Sequence, residues 1–367
     1  MYCLLYPFAF ILFTLFMGFT HKGYAQATYP SQKYVCYKSP NRLKIDGKLN
    51  ENAWERAEWT SEFVDIEGDK QPKPLYSTRV KMLWDDDFFY IAAELIEPNL
   101  WATYTERESV IYHENDFEVF IDPDGDTHHY YEYEINALGT DWDLMLTKPY
   151  RDQGMAVNGW NINQLQKGIQ LVGTLNKPKD TDTKWVIELA FPWKILKECA
   201  PNGSKPTDLD QWRINFSRVE WRLTTQNGKY IKEINPQTQQ SFPEYNWVWS
   251  PQGVIAMHQP ESWGFVQFSA QTVGSTKVNF IENPDEIIKW QLRQLYYLEH
   301  SYFAKNQQFT DNIDTLLKSN QAISISNLTD LQIQTTQSRF EITSQGTNPQ
   351  EVWHIQDDGR VWKSEKK

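Results

Sequence analysis

Short stretches of alternating apolar and polar residues dominate the first three quarters of the chain. Thr78-Arg79-Val80-Lys81-Met82-Leu83-Trp84 alternates, turns at Asp85-Asp86-Asp87, and resumes as Phe88 to Leu95. The same signal recurs in Asp116 to Ile121, Tyr131 to Asn136, Lys184 to Leu189 and Trp212 to Val219. Period-two runs separated by turn residues predict an antiparallel β-sandwich or barrel over residues 33–270. Helical pieces within it are brief, at Asn50 to Ala57 and Trp193 to Glu198. The pattern then changes. Residues 271–284 read as a linker, and Asp285 to Lys305 places Ile288, Leu292, Leu295, Tyr296 and Phe303 at helical spacing, with acids in the first turn. A second short helix is expected over Asp311 to Leu317. Strands at Val352 to Gln356 and Gly359 to Trp362 then meet at an Asp-Asp-Gly turn. Residues 285–367 are thus expected to form a small α+β appendage, one that could dock a protein partner.

The N-terminus reads differently from both parts. Leu4 to Phe19 is almost wholly apolar, and small residues at Gly23, Ala25 and Ala27 suit signal peptidase, so residues 1–25 are expected to be a signal peptide. The run is short for a membrane span of about 20 residues. The expected location is secreted or periplasmic, with no membrane association after cleavage. Export would leave Cys36 and Cys199, which could either pair or stay buried as thiols.

Composition narrows the classes. A net charge of −12 without a Lys/Arg-rich run excludes the electrostatic footprint of a nucleic-acid binder. Aromatics at 15% exclude disorder, and 16 Trp in 367 residues exceed what a core needs.

The most chemically loaded segment is Asp116 to Asn136. Parity puts Phe117, Val119 and Ile121 on one face of the first strand and Asp116, Glu118 and Phe120 on the other; Glu132, Glu134 and Asn136 share a face of the second. If Asp122 pairs with Tyr130, Glu118 opposes Glu134 and Asp116 opposes Asn136. Directly opposed like charges are destabilising, so compensation is expected from a cation, a nearby Arg (Arg218 being the candidate), a shared proton, or solvent exposure. A Ca²⁺ ion could sit on this face or at the turn of Asp122, Asp124 and Asp126, because hard cations take clustered oxygens. Opposed carboxyls also permit a glycoside-hydrolase reading, although adjacent strands create such pairs without catalytic purpose.

Several motifs together resemble the family 9 carbohydrate-binding modules: Asp46-Gly47-x-Leu49-x-Glu51-x-Ala53-Trp54, the Val80 to Leu95 hairpin, Asp116 to Asp122, and Tyr131-x-Tyr133-x-Ile135-Asn136-Ala137-x-Gly139. Further on come Trp185-x-x-Glu188-Leu189-Ala190-Phe191-Pro192-Trp193, Trp212 to Arg218, and His258-x-Pro260-x-x-Trp263-Gly264. The resemblance covers about residues 38–270. It implies a DOMON-like β-sandwich, bound Ca²⁺ and a non-catalytic role in binding polysaccharide or oligosaccharide, with aromatic rings stacking on sugar and polar groups fixing its hydroxyls. The two stacking positions carry Tyr112 and Met257 here, a hydrogen-bonding Glu is kept as Glu118, and a sugar-holding Arg is replaced by Glu134. The expected binding set is therefore Tyr112, Glu118, Glu134, Asn136, Met257 and His258, with Trp160 and Trp249 as further platforms. Catalytic residues are not expected. Haem ligation by Met257-His258, Met82 or Met145, as in some DOMON relatives, lacks a haem-attachment motif, so no organic cofactor is expected. The alternative is an interaction scaffold of the same fold without sugar affinity.

Overall fold

The computed structural model of the protein describes residues 29–320 and 322–366; the expected signal peptide lies outside them. In chain order the main domain contains β1 (Lys33–Lys38), α1 (Asn52–Arg56), β2 (Val64–Asp65), β3 (Thr78–Trp84), β4 (Phe88–Ile96), β5 (Asp116–Asp122), β6 (Tyr130–Asn136), β7 (Asp141–Leu146), β8 (Ala156–Val157), β9 (Gln166–Val172), β10 (Lys184–Pro192), α2 (Trp193–Leu196), β11 (Gln211–Glu220), β12 (Leu223–Gln226), β13 (Lys229–Lys232), β14 (Tyr245–Val248) and β15 (Gly264–Thr272). Every strand predicted from alternation is present. The backbone ladder runs β8-β7-β6-β5-β11-β15-β1-β3-β4-β10-β9, with β14 and β2 attached beside β11.

This ladder curls so that its two halves face each other. Phe117, Val119, Tyr131 and Tyr133 of one half share a core with Ile91, Ile187, Leu189 and Phe191 of the other. The Tyr133 and Phe191 rings meet edge-on at 5.5 Å. The fold is thus the expected β-sandwich, with one departure: β1 runs parallel to both of its neighbours, β15 and β3. Trp84, Trp193, Trp212 and Phe268 form an aromatic cluster near that seam, so much of the Trp surplus is core. The two thiols among the described residues are free rather than paired: Cys36 is buried in β1, and Cys199 lies beside Met145.

Both outer faces are partly covered. Over β3, β4 and β10, the segment around α1 lays Leu43, Ala53 and Trp54 onto Leu83, Tyr90 and Ala190. Over β5, β6 and β7, a smaller cluster joins Phe120, Tyr130, Leu144, Leu146 and Trp263. The acidic hairpin face lies beside this second cluster.

The C-terminal unit contains α3 (Glu286–Asn306), α4 (Ile313–Ser319), and a four-stranded antiparallel meander of β16 (Gln332–Thr335), β17 (Phe340–Gln345), β18 (Glu351–Gln356) and β19 (Val361–Glu365). Helix α3 buries Ile288, Leu292, Leu295 and Tyr296 against Phe340, Ile342 and Ile355, the stripe its spacing predicts. The residues between β15 and α3 lie against the sandwich: Val278 N donates to the Tyr37 hydroxyl and Ile281 N to Gln267, both at 2.8 Å.

Candidate functional site

The hairpin pairing follows the predicted register: Glu118 stands opposite Glu134, and Asp116 opposite Asn136. Parity sends Phe117, Val119 and Ile121 into the core and leaves the carboxylates on the outer face. That face is not solvated. Glu118, Glu132 and Glu134 are each more than nine-tenths buried, and Asp116 is fully so. The three glutamates line the floor of a cleft of about 350 Å³, and Asp116 lies beneath it.

Three chain segments build the walls. The 3₁₀ turn before β5 brings Tyr112, whose backbone N–H donates to Glu134 at 3.1 Å. Strand β7 brings Trp142, paired with Glu134 across the ladder and hence on the same face. The loop between β14 and β15 brings Met257 and His258, and Tyr150 packs on His258 at 4.5 Å between ring centres. Five of the expected binding residues therefore line one cleft: Tyr112, Glu118, Glu134, Met257 and His258.

The other three lie elsewhere. Asn136 is fully buried and serves the backbone, donating to Tyr104 O at 2.9 Å and accepting from Leu138 N and Thr140 N. Trp160 stacks on Tyr131 at 4.6 Å, and its indole N–H donates to Glu198. Trp249 is a core residue lying over Gly264, where a Cβ would come within 2.4 Å of its ring. Glu132, Phe120, Trp142, Tyr150 and Asn246 also line the cleft and were not among the expected residues. Parity already places Glu132 and Phe120 on this face; Trp142 is brought there by Asp141 to Leu146, whose acid-aromatic-acid start carries only a weak strand signal.

Burial without a cation shapes the electrostatics. It pushes the Glu118 carboxyl up to about 7. Asp116, Glu132 and Glu134 are pushed up by burial first and by the Glu118 charge second. Glu132 and Glu134 lie within hydrogen-bonding reach, the arrangement in which carboxyls share a proton. Burial and the Arg151 charge hold His258 down at about 4, so it is a neutral hydrogen-bonding group despite lying 4.0 Å from Glu132. Its Nδ1 is 2.9 Å from the Tyr130 hydroxyl. Arg218 does not provide the expected compensation. It sits across the ladder from Phe117, while Ser217 is the neighbour of Glu118. The same parity points Arg218 inward, where it pairs with Glu97 at 2.8 Å and Glu220 at 2.9 Å.

By spacing, two trios could hold a metal ion, since Asp116, Glu118 and Glu134, and separately Asp122, Asp124 and Asp126, bring carboxylate oxygens within 4.8 Å of one another. The second trio already has other partners. Asp122 accepts from Gly125 N and Thr127 N, both at 3.0 Å, and Asp126 accepts from His128 N. Arg360 of the C-terminal unit takes the other Asp126 oxygen at 2.9 Å. Crowding and burial still push Asp124 up to about 6. Most oxygens of this turn already accept from amides or a guanidinium, so the turn offers few free positions to a calcium ion that needs six to eight oxygen ligands. It is instead where the C-terminal unit docks. Val361 N donates to Asp126 O at 3.1 Å, and Thr127 donates to Gly359 O at 3.0 Å. Tyr296 bonds Asp152 and Tyr297 bonds Glu261 nearby, and Arg213 pairs with Glu286 at 2.8 Å.

Residues 45–210 match the family model described as carbohydrate family 9 binding domain-like. Among solved structures, a family 9 carbohydrate-binding module from Caldicellulosiruptor kristjanssonii in complex with cellotriose is similar at 14% identity. That match covers 68% of this chain and 100% of that one, with a TM-score of 0.42. The module in complex with glucose matches at 15% identity over 67% and 99% of the two chains, with a TM-score of 0.42. A candidate carbohydrate-binding protein from Bacteroides uniformis matches at 14% identity over 65% and 100%, with a TM-score of 0.47. No curated protein matches the chain.

Proposed function

We propose that this protein, whose residues 45–210 match the family model described as carbohydrate family 9 binding domain-like, is an exported, non-catalytic protein that binds oligosaccharide or polysaccharide in the cleft above the acidic hairpin. One observation supports this most: Tyr112, Glu118, Glu134, Met257 and His258, far apart in sequence, line a single opening. Its size falls in the range of small-ligand pockets. Tyr112 and Tyr150 are 39% and 49% exposed at its rim. Flat rings left open at a concave polar site suit the C–H faces of a pyranose, and carboxyl oxygens and the neutral imidazole suit its hydroxyls. Export rests on the apolar Leu4 to Phe19 run and the small residues after it.

The test is calorimetric titration of the purified protein with a panel of soluble oligosaccharides, beside Tyr112→Ala. Saturable binding that weakens about tenfold in the variant is the expected result. Absence of binding across the panel would overturn the reading and favour an interaction scaffold. Steady release of reducing ends, lost in Glu118→Gln, would instead make the paired carboxyls catalytic.

A further inference from the structure

We propose that this cleft selects sugars bearing a free amino group, with the ammonium received among Glu118, Glu132 and Glu134. The inference rests on the cleft being a sugar site and goes further, to the class of sugar.

Charge sign is the first support. Three carboxyls and no Lys or Arg are among the residues lining the cleft. Glu244 adds its negative charge, acting on both Tyr112 and Glu118. Arg151, the guanidinium whose charge acts on His258, is already paired with Asp152 and with Glu261 at 2.8 Å. His258 is the remaining basic side chain on the wall, and it is neutral.

A second, independent support lies beneath the floor. Asp116 is fully buried, and its Oδ2 has no hydrogen-bond partner. It belongs to the group whose oxygens, with those of Glu118 and Glu134, lie within 4.8 Å of one another. A buried carboxylate oxygen left without a donor costs about 1–3 kcal/mol or more, so the site is built around a positive or donating group that the chain does not supply. Several other buried acids of the domain are satisfied from within. Glu97 and Glu220 share Arg218, and Glu114 receives Thr103 N, Tyr104 N and Asn136 Nδ2. Asp143 is paired with Arg107.

An ammonium on a pyranose answers both needs. It carries three donors toward the oxygens, while Tyr112, Trp142 and Tyr150 offer the ring faces that attract cations and stack on C–H surfaces. A neutral sugar has no positive charge with which to offset the repulsion between the facing glutamates.

The experiment compares a glucosamine tetramer, its fully N-acetylated form and cellotetraose by calorimetry, at neutral pH with EDTA present. The amine form is expected to bind at least about tenfold tighter than either neutral sugar, and added salt is expected to erode that preference. In Glu134→Gln, and independently in Glu132→Gln, the preference should fall toward unity. Two variants are used so that a folding defect in one, visible by circular dichroism, leaves the other informative. Equal or tighter binding of the neutral tetramers would overturn the inference while leaving the sugar site standing. A preference that survives both variants would also overturn it, as would strong neutral-sugar binding that appears only when Ca²⁺ replaces EDTA, which would assign the acidic trio to a metal. If no sugar binds, the reading of the cleft as a sugar site falls too.

Discussion

Two buried glutamate sites on opposite outer faces of the sandwich have opposite fates. On β10, Glu188 is fully buried yet receives the Trp54 indole N–H at 2.8 Å and the amides of Asp46 and Gly47 at 2.9 and 3.0 Å. Those donors come from the Asp46 to Trp54 motif, which closes over the strand as a lid. On β5 and β6, Glu118, Glu132 and Glu134 have no such lid. The loops above them stand back, leaving a cleft and aromatic walls. The same residue type at similar depth is thus structural where the chain brings a full set of donors to it and receptive where, as at Glu134 with the single amide of Tyr112, the chain brings few.

The largest effect that would break this contrast is in stability. Glu188→Ala removes the acceptor for three buried donors and should cost about 3 kcal/mol or more, read from the urea midpoint. Glu134→Ala, at equal depth, should cost far less. If the two cost the same, the distinction between a satisfied and an open site fails.

Next comes pH. Glu118 titrates near 7 in the folded protein, above its ordinary 4.5. A raised acid contributes its full stability below the ordinary value and loses it as pH rises through the folded value. Between about pH 4.5 and 7 this group should remove about 3 kcal/mol. Thermal melts across that range should fall more steeply for the native protein than for Glu118→Gln; parallel slopes would refute the assignment.

Smaller still, Glu134→Gln should raise stability at neutral pH by about 1 kcal/mol, because it removes a carboxyl whose ionisation burial and the Glu118 charge oppose, without opening a void. A loss of similar size would mean that its charge is already compensated. The finest discrimination is between two aromatics. Tyr112→Ala should weaken sugar binding with no shift in melting temperature, whereas Trp160→Ala should lower melting temperature and leave affinity alone, since Trp160 is stacked on Tyr131.

What could be read along the chain was whatever depends on parity and near neighbours. Alternation in Asp116 to Asn136 was enough for the faces, the register and the opposition of Glu118 to Glu134. The helix stripe of Ile288, Leu292 and Leu295 was legible for the same reason. Depth was not legible. Trp249 in its polar sequence context looks like a platform, but only the approach of Gly264 shows it to be core. Arg218 illustrates the same limit: its charge was evident, but the face it occupies depends on pairing with β5, about a hundred residues earlier in the chain. The docking of Arg360 onto Asp126 joins residues 234 positions apart and has no local signature.

The parallel seat of β1 between β15 and β3 has a consequence for how the chain is made. The first strand to emerge during synthesis cannot acquire its β15 neighbour until Thr272, at the end of that strand, has been made. Closure of the sandwich must therefore await nearly the whole domain, and contacts this distant in sequence make folding slow. Until then Tyr34 and Cys36, buried in the finished protein, lack the strand that covers them. A chain arranged in this way stays open through most of its own synthesis, the condition that the export proposed above would require.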